Sequence, residues 1–509
     1  MQRYQGGGRE PRMRSGFSRI AGQAVYVLLA MAILRFWIMP LGSSFWGDEL
    51  ATLWVIQGGP RELVSRFLEF PAAPPAYSLI CWVAYVLGGA HEYVLRLPSV
   101  LALALACVLL YRLMTRLVGQ NAALPTVIVF LCLRPIIFAA TDARPYAMLL
   151  LVIIGSTLAL VRWLDSGLLR DAAIYAITAA LIPNYHYLAT PILGVHAIYA
   201  VARIREGGPV RIRQLAITAA AITVLLAPMI RPLLRLIRAR DQHVFLNSPG
   251  VPAMAEFLAP SGLVFGVALG LLAAWIASKE FVIRASAVRR STVCLILALT
   301  LAPAMLAFAI SLLTPTRIFN ERYIIGAFAG QAMLVGWGIG LIQPRVARSI
   351  ILCSVLIISL GCFGYSRRFW PPHNGENWRD AMAAVRKAAG TSQIPVLIKS
   401  TFPESSKQNL DYTGKLPGWL LAPVVLYPSA GHVFPVSRAF DHASVSYLAT
   451  SVAPAIDREG RFILVKLGPD DELNNWLSKR FCGYSARSLG NFDLVDATLY
   501  ERALGSSKF

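Results

Sequence analysis

A succession of long apolar runs, broken by short stretches rich in arginine, limits what this chain can fold into more than any other feature. Ile20 to Leu41, Leu97 to Leu117, Tyr146 to Leu164 and Val293 to Leu313 each approach the ~20 residues that carry a helix across a bilayer. In hydrocarbon every backbone N–H and C=O must find its partner within the protein, so such runs have to be helices. Further runs continue the rhythm at Ala122 to Ala140, Ala172 to Pro183, Tyr187 to Ala202, Leu215 to Leu234, Gly262 to Ser278, Tyr323 to Ile342 and Ser349 to Gly364. Together they predict about eleven spans.

Composition excludes the main alternative, a soluble enzyme. The 509 residues are 56% hydrophobic, with a mean hydropathy of +0.57. A net charge of +21, from 48 Lys+Arg against 27 Asp+Glu, raises nucleic acid as a partner. The arginines, however, are scattered between apolar runs instead of gathered on one domain, so topology and anionic lipid account for them and no nucleic acid is expected. Six of the seven cysteines lie in or beside apolar segments and only Cys482 falls in the polar tail. There is no CxxC pair or zinc spacing.

The charges at the breaks set the orientation. Residues 1–19 carry Arg3, Arg9, Arg12, Arg14 and Arg19 ahead of a run that is long and lacks a small-residue cleavage site. We read them as a cytoplasmic basic terminus before a retained first helix. Alternate breaks then carry Arg112 and Arg116, Arg162 and Arg170, Arg203 to Arg213, Lys279 to Arg290, and Arg345 and Arg348. This positive-inside pattern places the amino terminus in the cytoplasm and the carboxyl tail outside. Residues 20–366 form the transmembrane domain, which would be the catalytic one if the chain is an enzyme. Its first outer loop, 42–95, holds an amphipathic piece, Arg61 to Phe70, a proline-rich turn, and the short apolar piece Ala76 to Leu87, which suits the outer interface or a re-entrant path. From 367 to 509 the chain turns polar. Trp378 to Ala389 and Asp471 to Arg480 have helical spacing, while Pro395 to Lys399 and Phe462 to Leu467 read as buried strands. A small extracytoplasmic α/β domain follows, large enough for its own core.

Two carboxylates, Asp48 and Glu49, stand where the first helix emerges into water. An ionisable pair there is a functional candidate, set against the simpler reading of acids in the first turn of an interfacial helix. Arg96, Arg144, Arg317 and Arg322, and the cluster Arg231 to Arg240, lie on the same outer side, against the charge rule. Guanidinium groups kept there suit a bound phosphate, and snorkelling to lipid headgroups is the competing account, which we prefer for the Arg231 to Arg240 cluster.

In order, Asp48-Glu49, Pro74-Pro75-Ala76-Tyr77, Glu92 to Ser99, Asp142-Ala143-Arg144-Pro145-Tyr146, Asn184-Tyr185-His186-Tyr187, Glu321-Arg322-Tyr323 and Asn377-Trp378-Arg379 make the chain resemble the GT-C fold membrane glycosyltransferases. More narrowly it is similar to the branch holding protein O-mannosyltransferases, lipid A aminoarabinose transferases and rhizobial lipopolysaccharide galacturonosyltransferases. The resemblance implies a sugar donor on a polyprenyl phosphate, used at the outer face of a bacterial inner membrane, with a lipid, glycan or protein as acceptor. Asp48 would then be the general base and Glu49 its orienting neighbour. Arg144 would bind the donor phosphate, with Arg96 and Arg322 as further phosphate ligands, and Asp142, His186, Tyr187 and Tyr323 would lie near the site. In two places the sequence departs from the family pattern: Asp142 stands where Glu is common before Ala-Arg, and Arg134-Pro135 replaces a small residue before proline. No metal is required for this chemistry. Asp48, Glu49 and His186 are the groups that would have to meet to ligate a divalent ion. A transporter or flippase for an isoprenoid-linked or anionic lipid is the alternative, and it calls for ionisable groups nearer mid-membrane than this sequence provides.

Overall fold

The computed structural model describes residues 10–69, 75–238, 246–278, 280–285, 287–365, 368–402, 405, 410–412 and 416–503. In chain order the helices are α1 (Glu10–Ile33), α2 (Gly47–Ile56), α3 (Gly59–Glu69), α4 (Pro75–Gly88), α5 (Glu92–Leu117), α6 (Gln120–Cys132), α7 (Arg134–Ala140), α8 (Tyr146–Ser166), α9 (Leu169–Tyr185), α10 (Pro191–Arg205) and α11 (Ile212–Leu226). They continue as α12 (Ile230–Arg238), α13 (Val251–Leu258), α14 (Ser261–Ala277), α15 (Arg290–Leu313), α16 (Ile325–Gly340) and α17 (Arg345–Phe363). The tail adds α18 (Trp378–Ala389), α19 (Pro423–Leu426), α20 (His442–Tyr447), α21 (Ala453–Glu459) and α22 (Asp471–Arg480). Part of the proline-rich turn, Phe70 to Pro74, lies outside the described residues.

The chain is a polytopic helical membrane protein. Among the described residues seven helical stretches are long and apolar enough to cross a bilayer, or nine when the bent pairs α6–α7 and α13–α14 each count as one span. The other two of the eleven expected are α9, with 17 residues, and α16, with 16, both short of the ~20 that a perpendicular crossing needs. The 75° bend between α6 and α7 has a local cause. Pro135 offers no N–H, and its ring would clash with the carbonyl one turn back, so Leu133 turns extended and a new helix starts.

Two compact units divide the chain. The first comprises Met1–Pro40, Leu97–Arg231 and Leu246–Pro371. Within it α8 is the enclosed helix: 78% of its apolar window is buried, against 17 to 39% in the other long spans. Helices approach closely where one presents glycine, as expected when dispersion between backbones has to hold a membrane bundle together. A Cβ on Gly336 of α16 would fall 2.4 Å from the Thr126 Cα of α6, and one on Gly330 would fall 2.5 Å from the Thr300 nitrogen of α15. Arg35 caps another helix end, donating from Nε to the Gly364 carbonyl at 2.6 Å and from Nη1 to that of Phe369 at 2.7 Å. Inside the bundle, Thr157 Oγ1 and His196 Nε2 pair at 3.0 Å.

The second unit comprises Leu41–Arg96, Pro232–Phe245 and Pro372–Phe509. The first outer loop, residues 42–95, falls in this unit with the tail. Elsewhere a short antiparallel pair joins β1 (Val282–Ile283) to β2 (Ile342–Gln343). The tail's own sheet has β3 (Pro395–Lys399), β4 (His432–Val436), β5 (Arg461–Leu467), β6 (Tyr484–Ser488) and β7 (Val495–Arg502) in the order β4-β3-β5-β7-β6. β3 is parallel to both β4 and β5, and β7 is antiparallel to β5 and β6. Buried on both faces, β3 and β5 read as unbroken apolar runs. One face packs Leu397, Phe434, Val436 and Leu464 against Val452, Ile456, Leu473 and Leu477. The sequence thus located two strands and both long helices of this domain to within a residue. It did not show β4, β6 or β7.

Candidate functional site

α2 begins with Gly47-Asp48-Glu49 and is buried along nearly its whole length. Its first turn is held from three directions within the second unit. The Gly47 N–H donates to Glu376 Oε2 at 2.9 Å, the Trp46 N–H donates to Glu49 Oε2 at 3.3 Å, and the Phe45 N–H donates to the Tyr427 hydroxyl at 3.0 Å. Gly47 is required for the close approach, because a Cβ there would meet Thr401 Oγ1 at 2.7 Å. The two acids part company at this point: Glu49 is fully enclosed, while Asp48 keeps part of its surface open.

Arg96 explains how Glu49 is tolerated. Its guanidinium forms a bidentate fork, Nε to Oε1 at 2.8 Å and Nη2 to Oε2 at 2.5 Å, with both side chains at 0% exposure. The rest of the guanidinium donates to the carbonyls of Leu41, Ser43 and Ser44 at 3.0, 2.7 and 3.1 Å and to Ser43 Oγ at 3.0 Å. Every edge of the guanidinium is engaged, which leaves none for a donor phosphate. In this arrangement Arg96 holds Glu49 in place.

Glu376, which the sequence did not single out, joins the acids of α2. Its Oε2 also accepts from Trp378 Nε1 at 2.8 Å. Burial raises its carboxyl pKa, Asp48 and Glu49 add like-charge repulsion, and the bonds from Trp378 and Gly47 oppose the shift. Arg379 ties the same region together. It pairs with Glu92 at 2.6 Å and donates to the Gly42 carbonyl at 2.7 Å, and Tyr427 donates to Glu92 at 2.7 Å. The available signal was adjacency to Asn377-Trp378-Arg379, one of the stretches that carried the family resemblance.

The other candidates belong to the first unit. Asp142 and Arg144 sit in the break between α7 and α8, at 0% and 9% exposure, and Ser99 Oγ fixes the break by donating to the Asp142 carbonyl at 2.6 Å. His186 ends α9, with its ring centroid 5.9 Å from that of Tyr146 and 5.4 Å from that of Tyr323. Burial first, and the charge of Arg144 second, lower its pKa to about 4, so it is neutral near pH 7. Among the described residues, neither its Nδ1 nor the buried Tyr187 hydroxyl has a hydrogen-bond partner. Arg322 stacks over the Phe138 ring at 5.4 Å. Arg144, His186, Tyr146 and Tyr323 are thus neighbours at the ends of otherwise apolar helices.

A family model described as dolichyl-phosphate-mannose-protein mannosyltransferase matches residues 72–232. No curated protein sequence matches the chain. The structure is similar to that of ArnT from Cupriavidus metallidurans bound to undecaprenyl phosphate, with a TM-score of 0.54 over 95% of this chain and 99% of that one, at 11% identity. The chain has the GT-C fold. The apo form of the same ArnT gives a TM-score of 0.53 at 12% identity, over 94% of this chain and 98% of that one. The small C-terminal sheet domain accompanies that fold here, as the sequence led us to expect.

Proposed function

We propose that this GT-C protein is an inverting glycosyltransferase. It would move a sugar from a polyprenyl-phosphate donor to an acceptor hydroxyl at the outer face of a bacterial inner membrane. The observation that carries the reading is the unequal pair on α2: Glu49 is locked by Arg96, while Asp48 beside it keeps an open surface. A base must reach its substrate, and of the two Asp48 is the one that keeps exposed surface.

In this reading the acceptor oxygen attacks the anomeric carbon from the face opposite the phosphate. Its proton passes to the Asp48 carboxylate as the new glycosidic bond forms. The bond between the anomeric carbon and the phosphate oxygen breaks, and the polyprenyl phosphate leaves with the electron pair. Arg144, with Arg322 as a second cation, stabilises the charge that develops on that phosphate in a site shielded from bulk water. Neutral His186 supplies a hydrogen-bonding group and no charge. Asp142, Tyr187 and Tyr323 shape the pocket around it. The reaction as written requires no metal, and a divalent ion is compatible with it. The outer loop and the tail domain, which pack as one unit, recognise the acceptor.

The test compares the envelope lipids and glycans of a deletion strain with those of the same strain carrying the wild-type gene. Loss of one sugar-sized mass from one molecule on deletion is the expected result, and it names the sugar class and the acceptor together. If no mass is lost and a polyprenyl-linked intermediate instead changes side of the membrane, a flippase replaces the enzyme.

A further inference from the structure

The carboxyl-terminal ends of α8 and α10 and the start of α15 line an open cleft of about 540 Å³ that the transfer chemistry does not use. Its lining includes Asp165, Arg203, Glu206 and Arg289, with Gly207, Gly208 and Pro209 closing one side. Arg203 Nη2 and Arg116 Nε hold the Asp165 carboxylate at 2.8 and 2.9 Å, and Arg289 Nη1 stands 3.6 Å from it. Glu206 is occupied elsewhere, accepting from the Ser291 N–H at 2.8 Å and from its hydroxyl at 2.6 Å, with Arg203 Nη1 at 3.5 Å.

An ion-pair network that staples helix ends accounts for Asp165, Arg116 and Glu206. It leaves two features over. Arg203 is 6% exposed, and its Nε is buried with no acceptor among the described residues. An unmet N–H on a buried guanidinium is costly. Arg289, by contrast, is 62% exposed and its approach to Asp165 is long, so its fork is open to a second partner. Three guanidinium groups against two carboxylates leave one positive charge in excess. An oxyanion is the ligand that would satisfy the Arg203 Nε and the Arg289 fork together.

We propose that this cleft is a phosphoryl-binding site, with Arg203 and Arg289 as its ligating cations. Its place at the ends of apolar helices suits the phosphodiester of an anionic lipid headgroup, and a free phosphate shares the same chemistry. The site is separate from Asp48 and Arg144 in residues and in role.

The experiment uses the full-length protein in nanodiscs of phosphatidylcholine. Thermal unfolding and native mass spectrometry are recorded with added phosphatidylglycerol, with inorganic phosphate, and with neither. Wild type, Arg289→Ala and Arg203→Lys are compared. The lysine keeps a cation for Asp165 but removes the Nε donor. Retained phosphatidylglycerol and a raised unfolding temperature are expected for wild type, with binding weakened about tenfold or more in each variant, as the loss of one charge-assisted hydrogen bond implies. The same stabilisation by inorganic phosphate alone would support the site and assign it to a free anion. No stabilisation of wild type by either ligand, or equal stabilisation in both variants, would overturn the proposal. The wild-type arms decide even if a variant fails to fold.

Discussion

Glu49 and Arg96 are the residues whose partnership the sequence could not display. They are 47 positions apart, and each alone looks like an outward-facing charge near a helix end. Asp48 stood out as an acid directly after a long apolar run, with a first-turn acid on an interfacial helix as the competing reading. Glu376 was not, because its role depends on a chain path more than 300 residues long that brings it to Gly47. Breaking a fully buried ion pair leaves an uncompensated charge, so Arg96→Ala should destabilise the second unit by about 3–5 kcal/mol. Thermal unfolding in detergent would measure this, and an unchanged transition would contradict the clamp. Glu376 yields a pH prediction whose sign follows from its raised pKa. Between the ordinary glutamate value of 4.5 and its higher native value, the folded state binds more protons than the unfolded state. Stability from this group is therefore present below 4.5 and lost as pH rises through the native value. Glu376→Gln, which keeps an acceptor for Gly47 and Trp378, should flatten that decline. An identical pH profile in the variant would remove Glu376 from the acid cluster.

At the scale of elements, apolar periodicity found what burial dictates and missed what it does not. β3 and β5 are covered on both faces, so their sequences are continuous apolar runs. β4 carries Pro435 at an edge of the sheet, where a missing N–H costs no ladder bond. β6, the other edge, is almost wholly exposed, and β7 alternates Val495-Asp496-Ala497 with only one set of side chains fully buried. None of these three announces itself as a strand. Within the membrane the short α16 was readable as apolar, but its glycines gave no hint of their purpose until α6 and α15 were seen against them. Overpacking a close helix crossing costs about 1–3 kcal/mol, and backbone stands opposite the Gly336 site. Gly336→Val should therefore lower the unfolding temperature of the bundle, whereas Gly338→Val, where a Cβ would meet nothing within 4 Å, should not. Equal effects at the two sites would refute the close-packing account.

At the scale of the whole molecule, hydropathy alone established a polytopic membrane protein, and the order of weak motifs pointed to the GT-C fold that the structure has. The span count was the less secure part: α9 and α16 are too short to be counted by length, and two further spans are bent. Which residues act together was legible only in pieces. The carboxylates of α2 and the arginine of the α7–α8 break belong to different compact units, and no sequence period connects them. In the proposed reaction Asp48 takes the proton of the acceptor hydroxyl. General bases contribute about 10²- to 10⁴-fold, and asparagine at this position preserves size and hydrogen bonding without basicity. The most direct test is to complement the deletion strain with Asp48→Asn and weigh the acceptor by mass spectrometry at matched protein levels. The account predicts that the sugar-sized mass lost on deletion stays lost, with the variant protein folded and inserted. Full restoration of that mass by Asp48→Asn would contradict it.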